Sequence, residues 1–190
     1  MNLFQLWCTG ILHPGDAFYE LKSKPAPAWG FWVVLVFNLL ISATTLLTLY
    51  LLGRPPLMPS VLTFLPTEKY LLTEMFFLPP LRVIVWLIAS STIHLGLRLV
   101  GQRSDFDQIL NIGGLGYLVT MPFILVSDWS FIAANIYPIV EYTHPLSALW
   151  GLVLTVIGLK KIFGTGTGLS IGLAFASMLV SIPLLALLAR

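Results

Sequence analysis

Apolar residues in this chain fall in long, nearly unbroken runs. They lack the alternating or every-third-and-fourth spacing that marks soluble strands and helices. A hydrocarbon core about 30 Å thick is crossed by roughly 20 residues, each rising about 1.5 Å. Five stretches reach or approach that length. Gly30 to Leu52 carries no charge, and Leu78 to Val100 holds Arg82 near one end and His94 and Arg98 near the other. Gln108 to Val126 is interrupted by Gly113, Gly114, Gly116 and Pro122. Leu146 to Phe163 ends on Lys160 and Lys161, and Gly168 to Ala189 contains Pro183. The pattern predicts an all-α fold: a polytopic transmembrane helical bundle of about five spans forming a single domain over residues 1–190. A rival in which the last two runs form a re-entrant pair is disfavoured by the length of each run.

The pieces between the spans read as connections. Residues 1–29 carry Phe4, Leu6, Trp7, Ile11, Leu12, Phe18, Tyr19 and Leu21 among few charges, which suits one or two short helices lying in the membrane interface. His13-Pro14-Gly15-Asp16 marks a turn, with Asp16 placed to cap a helix. Arg54 through Glu74 is expected to be the longest loop, and Ser127 to Pro145 a second loop on the same side with interfacial aromatic residues.

Composition supports lipid as the solvent. The chain is 57% hydrophobic and 9% charged, with a mean hydropathy of +0.92, where a soluble domain carries about 25% charged residues. A net charge of +2 without a basic run gives no footing for nucleic acid. Cys8 is the only cysteine, which excludes an intrachain disulfide and a CxxC pair. The opening MNLFQLWCTG has no basic region and no short core with a cleavage site, so the first long run reads as a retained helix. With the amino terminus in the cytoplasm, the inner side receives Lys22, Lys24, Arg98, Arg103, Lys160 and Lys161, against Arg54, Lys69, Arg82 and Arg190 outside. Six against four places the amino terminus inside and the carboxyl terminus outside.

Ionisable groups within a bilayer cost about 2.5–3.5 kcal/mol each on insertion scales, so they are the first candidates for function. Ser90, His94 and Arg98 recur every fourth residue. With Asn111 and Tyr117 of the next span, they would line a polar cavity open to the cytoplasm. The plainer reading has Arg98 reaching the headgroups and His94 satisfied by local structure. Arg103, Asp105 and Asp107 are a candidate cytoplasmic partner patch, the alternative being that one of the acids caps the third span. Gly168-Leu169-Ser170-Ile171-Gly172 matches the GxSxG string, but it opens a helix instead of joining a strand to one. An intramembrane hydrolase would pair Ser170 with His94, whereas Gly and Ser at a helix contact is the ordinary reading. Phe163 to Gly168 is glycine-rich but lacks the GK[ST] ending of a phosphate loop. The histidines, His13, His94 and His144, form no HxxxH or HxxE pair, so no metal site and no cofactor are expected.

The order of several short motifs resembles the Yip domain family, the Rab/Ypt-interacting membrane proteins and their shorter prokaryotic relatives. His13-Pro14-Gly15-Asp16-Ala17-Phe18-Tyr19-Glu20-Leu21 resembles the segment before the first span in the short members. His94 to Gln102 followed by Asp105-Phe106 resembles the end of the second span and its inner loop. Gly116-Tyr117 with Pro122 is similar to the third-span signature, and Gly158 to Gly164 to the basic end of the fourth. The resemblance covers nearly the whole chain and implies five spans with a cytoplasmic amino terminus. Where eukaryotic members carry Asp-Leu-Tyr-Gly-Pro, this chain reads Leu78-Pro79-Pro80-Leu81, and it lacks their long polar amino-terminal region. The likeness is therefore to a short prokaryotic-type member in the plasma membrane, for which it implies no settled activity.

Three functions follow as expectations. The first is a non-enzymatic membrane protein that organises or shapes the bilayer, or scaffolds other membrane proteins or copies of itself. Its partner would be the lipid bilayer, with Gly113, Gly114 and Gly116 allowing close helix contacts. The second is a small transporter or channel with a polar pathway at Ser90, His94, Asn111 and Tyr117. The third is an intramembrane serine hydrolase using Ser170 and His94.

Overall fold

A computed structural model describes residues 2–23, 27–56 and 64–187. Within them the chain forms α1 (Leu3–Leu12), α2 (Pro14–Ser23), α3 (Pro27–Leu40), a π-helical stretch (Ile41–Leu46), α4 (Leu47–Leu51), α5 (Thr67–Leu99), α6 (Phe106–Ala134), α7 (Tyr137–Phe163) and α8 (Thr167–Ala186). Five helices are long and apolar enough to cross a membrane: Ala28–Leu51, which joins α3, the π stretch and α4, and then α5 to α8. The expected all-helical bundle with five spans is the observed architecture.

The bundle has two ends. The near end carries α1, α2, the turn from Val100 to Asp105 and the hairpin Gly164–Gly166; the far end carries residues 52–56, residues 64–66 and the Asn135–Ile136 turn. Arg54, which donates to Asn135 Oδ1 at 3.4 Å and to the Ile132 carbonyl at 3.2 Å, ties the first span to the tip of α6 at the far end. Tyr70 Oη, donating to the Leu187 carbonyl at 3.1 Å, ties α5 to the end of α8 there. In α6 56% of the apolar window is buried, against 22–33% in the other four spans, so α6 is the central helix. It crosses α3 closely: a Cβ on Gly114 would lie 2.7 Å from Gly30 Cα, a distance only two glycines permit.

Three spans are longer than their sequence implies. α5 begins at Thr67 instead of near Leu78, because Tyr70, Leu71, Glu74 and Leu78 recur on one buried stripe and the Pro79-Pro80 pair is taken up inside the helix. Neighbouring helices commonly support such prolines in membrane proteins. The segment read as a loop from Ser127 to Pro145 is almost all helix. α6 continues to Ala134, Asn135 closes it with φ 54°, and α7 starts at Tyr137 with Pro138 in its first turn. At its other end α7 stops at Gly164, whose φ of 69° turns the chain into α8.

The amino-terminal segment forms two helices, and both pack into the bundle. Asn2 and Gln5 close a reciprocal cap on α1, at 2.8 Å and 3.1 Å. Pro14 starts α2, with Asp16 in its first turn. Leu6, Ala17, Phe18 and Leu21 then join the main apolar cluster beside Ile112, Leu115 and Val119 of α6 and Leu159 of α7.

Candidate functional site: a chamber between the spans

A cavity of about 1050 Å³ lies among α5, α6, α7, α8 and the first span. Each helix contributes one stripe. On α7 the stripe runs Tyr137, Val140, His144, Ser147, Gly151 and Thr155, the three-and-four spacing of a single helix face. The far half of the chamber holds its charges, Arg54, Glu74, Arg82 and Asp128, together with His144. The near half is lined by Val85, Trp86, Ile93, Ile109 and Ile112, with Ser90 and Tyr117 among them. The chamber is thus polar towards one end of the bundle and apolar towards the other.

Two features of the lining were not foreseen. Asp128 and His144, both assigned above to a loop, sit on α6 and α7 and meet with His144 Nε2 2.9 Å from Asp128 Oδ1. Their separation of 16 residues hides the contact until the tight Asn135 turn folds one helix back on the other. Asn38, Ser42 and Thr45 form a buried polar stripe on the first span, with Asn38 and Thr45 on the chamber wall. Asn38 Nδ2 donates to the Val34 carbonyl at 2.6 Å, while its Oδ1 and the hydroxyls of Ser42 and Thr45 have no hydrogen-bond partner among the described residues. The i, i+4, i+7 spacing in an otherwise apolar run was the available signal, and the π stretch starts within it.

The five residues expected to share a polar cavity are divided by the fold. Ser90 and Tyr117 line the chamber. His94 does not: its Nδ1 lies 2.7 Å from Ser104 Oγ, and its ring meets Phe106 edge-on at 5.5 Å, in the near-end turn. Arg98 is exposed at that end, one residue before α5 stops. Asn111 is fully buried away from the chamber, with neither amide atom hydrogen-bonded among the described residues. The chamber's polar half also faces the far end, where the expectation had the cavity open beside His94.

Ser170 donates to the Gly166 carbonyl at 3.0 Å and pairs with Thr165 Oγ1 at 2.7 Å. Among the described residues no hydrogen bond joins it to His94, so the hydrolytic dyad is not assembled. Asp105 caps α6, accepting from the Asp107 and Gln108 amides at 3.0 and 3.4 Å, while Arg103 and Asp107 are exposed beside it. Among the described residues no three His, Cys, Asp or Glu side chains gather as a metal ion would need. Lys160 Nζ donates to Thr167 Oγ1 at 2.8 Å and so braces the glycine-rich hairpin.

No individual curated protein and no solved structure matches the chain. The family model for the Yip1 domain does match, over residues 9–189, from within α1 to beyond the end of α8. The chamber and α2 lie inside that range, and the chain belongs to the Yip1 domain family.

Proposed function

We propose that this Yip-family protein is non-enzymatic and organises the bilayer by acting as a one-sided wedge, with its near end in the cytoplasmic leaflet of a prokaryotic plasma membrane. The observation that carries the reading is the amino-terminal hairpin, which among the described residues has no counterpart at the other end of the bundle. Its two helices of ten residues each are anchored by Phe18 and Leu6 and turn Leu3, Phe4, Leu12 and Tyr19 outward. Each such helix is about 15 Å long and about 10 Å wide, so the pair adds about 300 Å² to one leaflet. Unequal leaflet area favours bending. Lys22, Arg98, Arg103, Lys160 and Lys161 at the same end support a cytoplasmic placement, since each basic residue near anionic headgroups contributes about 1 kcal/mol. Arg103, Asp105 and Asp107 are the surface a scaffolded partner would meet there.

The test is sorting among vesicles of mixed diameter, comparing wild type with the triple variant Leu3→Asn, Phe4→Asn, Leu12→Asn. Wild type should be enriched on the smallest vesicles and the variant evenly spread. Equal enrichment of both would refute the wedge.

The chamber favours a second reading, a small transporter. Its lining ends at Ile93 and Ile109, beyond which Leu97 and Leu159 are fully buried, so passage would require the near end to open. Solute flux in liposomes that disappears in Gly116→Leu would support transport over the wedge.

A further inference from the structure

The chamber has features that a merely structural gap between helices would lack. Along α5 its lining extends from Leu71 to Ile93, about 33 Å of helix. Dividing about 1050 Å³ by that length gives a mean cross-section of about 30 Å², which admits one extended hydrocarbon chain. A void of this size with an apolar half does not stay empty next to lipid. Its walls forfeit dispersion contacts on one side, and water finds no partner on the side chains of Val85, Ile93, Ile109 and Ile112.

Arg82 is placed midway, where the polar half meets the apolar half. It is half-buried on the chamber wall, and its Nε is buried without a hydrogen-bond partner among the described residues. A guanidinium held in a low-dielectric site with an open donor is costly unless an anion reaches it. Asp128 is not that anion, because it is engaged by His144. Glu74 lies eight residues further out on α5, about 12 Å along the helix. Arg54, the other cation on the lining among the described residues, is engaged at the mouth by Asn135, the Ile132 carbonyl and the Phe131 ring. Between chamber and bilayer the far half of α7 is a wall one helix thick. The helix's own buried residues are Leu154, Gly158, Leu159 and Ile162, all towards the near end, while Tyr142, Leu146 and Leu149 face outward.

We propose that the chamber is a binding site for a single-chain anionic amphiphile, its carboxylate or phosphate head taking Arg82 and its hydrocarbon tail filling the apolar half beside Trp86. This stands apart from the wedge: a protein that bends membranes need not hold a lipid inside, and the reverse is equally true.

Trp86 supplies the readout. The full-length protein in a nonionic detergent is titrated with stearate, lysophosphatidate and stearyl alcohol, each brominated on the chain, and tryptophan quenching is followed. The expected result is saturable quenching by one or both anionic chains, which also tells carboxylate from phosphate. Apparent affinity should fall at least tenfold in Arg82→Gln. The saturable component should disappear in Trp86→Phe and in Gly116→Leu; the latter fills the chamber from a position where an added Cβ meets nothing within 4 Å. The proposal is overturned if quenching does not saturate, if Arg82→Gln binds as wild type does, or if the alcohol binds as tightly as the acids. It is also overturned if Gly116→Leu, shown to be folded by an unchanged detergent-unfolding midpoint, still binds.

Discussion

The crossing of α3 and α6 can be tested with a pair of alanine substitutions that differ only in what the new methyl group meets. At Gly114 a Cβ would sit 2.7 Å from Gly30 Cα, and backbone atoms cannot rotate out of the way. At Gly116, two residues along the same helix, the Cβ meets nothing within 4 Å. Both changes gain the same intrinsic helix preference, about 1 kcal/mol for Gly to Ala, so the difference between the variants isolates the packing. Forcing an extra methyl into a close contact costs about 1–3 kcal/mol. Gly114→Ala should therefore be about 1–3 kcal/mol less stable than Gly116→Ala. Reversible unfolding in mixed dodecyl sulfate and nonionic micelles, followed by far-ultraviolet circular dichroism, measures that gap from the two midpoints. Equal midpoints, or a lower one for Gly116→Ala, would refute the close crossing and with it the central position of α6.

Further outcomes follow from particular contacts. Phe18→Ala, which removes a fully buried ring packed on Gly158, should cost about 3–5 kcal/mol in the same unfolding assay. A loss below 1 kcal/mol would place α2 off the bundle. His144→Ala should destabilise more than Asp128→Asn, because it strands a carboxylate that is 6% exposed whereas the histidine side chain is 43% exposed; the cost is about 1–3 kcal/mol, read from detergent-unfolding midpoints. Asp105→Ala, which deletes the cap on α6, should cost about 1 kcal/mol. Hydrogen exchange at the Asp107 and Gln108 amides should quicken with it.

The membrane-crossing core of each span was legible because long charge-free runs such as Gly30 to Leu52 have no other stable solvent than lipid. Their ends were not, because a charge or a proline looks the same whether it leaves the helix or finds a partner inside it. Ser127 to Pro145, with its interfacial aromatic residues, read as a loop, yet Pro138 sits in a first turn that needs no amide, and Asp128 and His144 satisfy each other across two helices. The chamber was half legible. Ser90, His94 and Arg98 share a face only loosely, since each step of four residues rotates about 40° around the helix. Over two steps that drift of about 80° carries Ser90 into the chamber while Arg98 emerges at the near end. Which helix lies opposite a given face depends on how five spans assemble, and no single stripe encodes it. Arg82 was visible as a charge near a span end, but its position at the boundary between the two halves of a cavity required the neighbours.

The one-sided hairpin is the claim on which the functional reading turns, and the chain carries its own reporter. Cys8 lies in α1, is half-buried and is the only cysteine, so a spin label can be attached without altering any other residue. In reconstituted vesicles its accessibility to oxygen against a water-soluble nickel chelate measures depth. The wedge predicts a label about 5–10 Å below the headgroup boundary of one leaflet. A label fully open to the chelate would show the hairpin standing in water and would contradict the account.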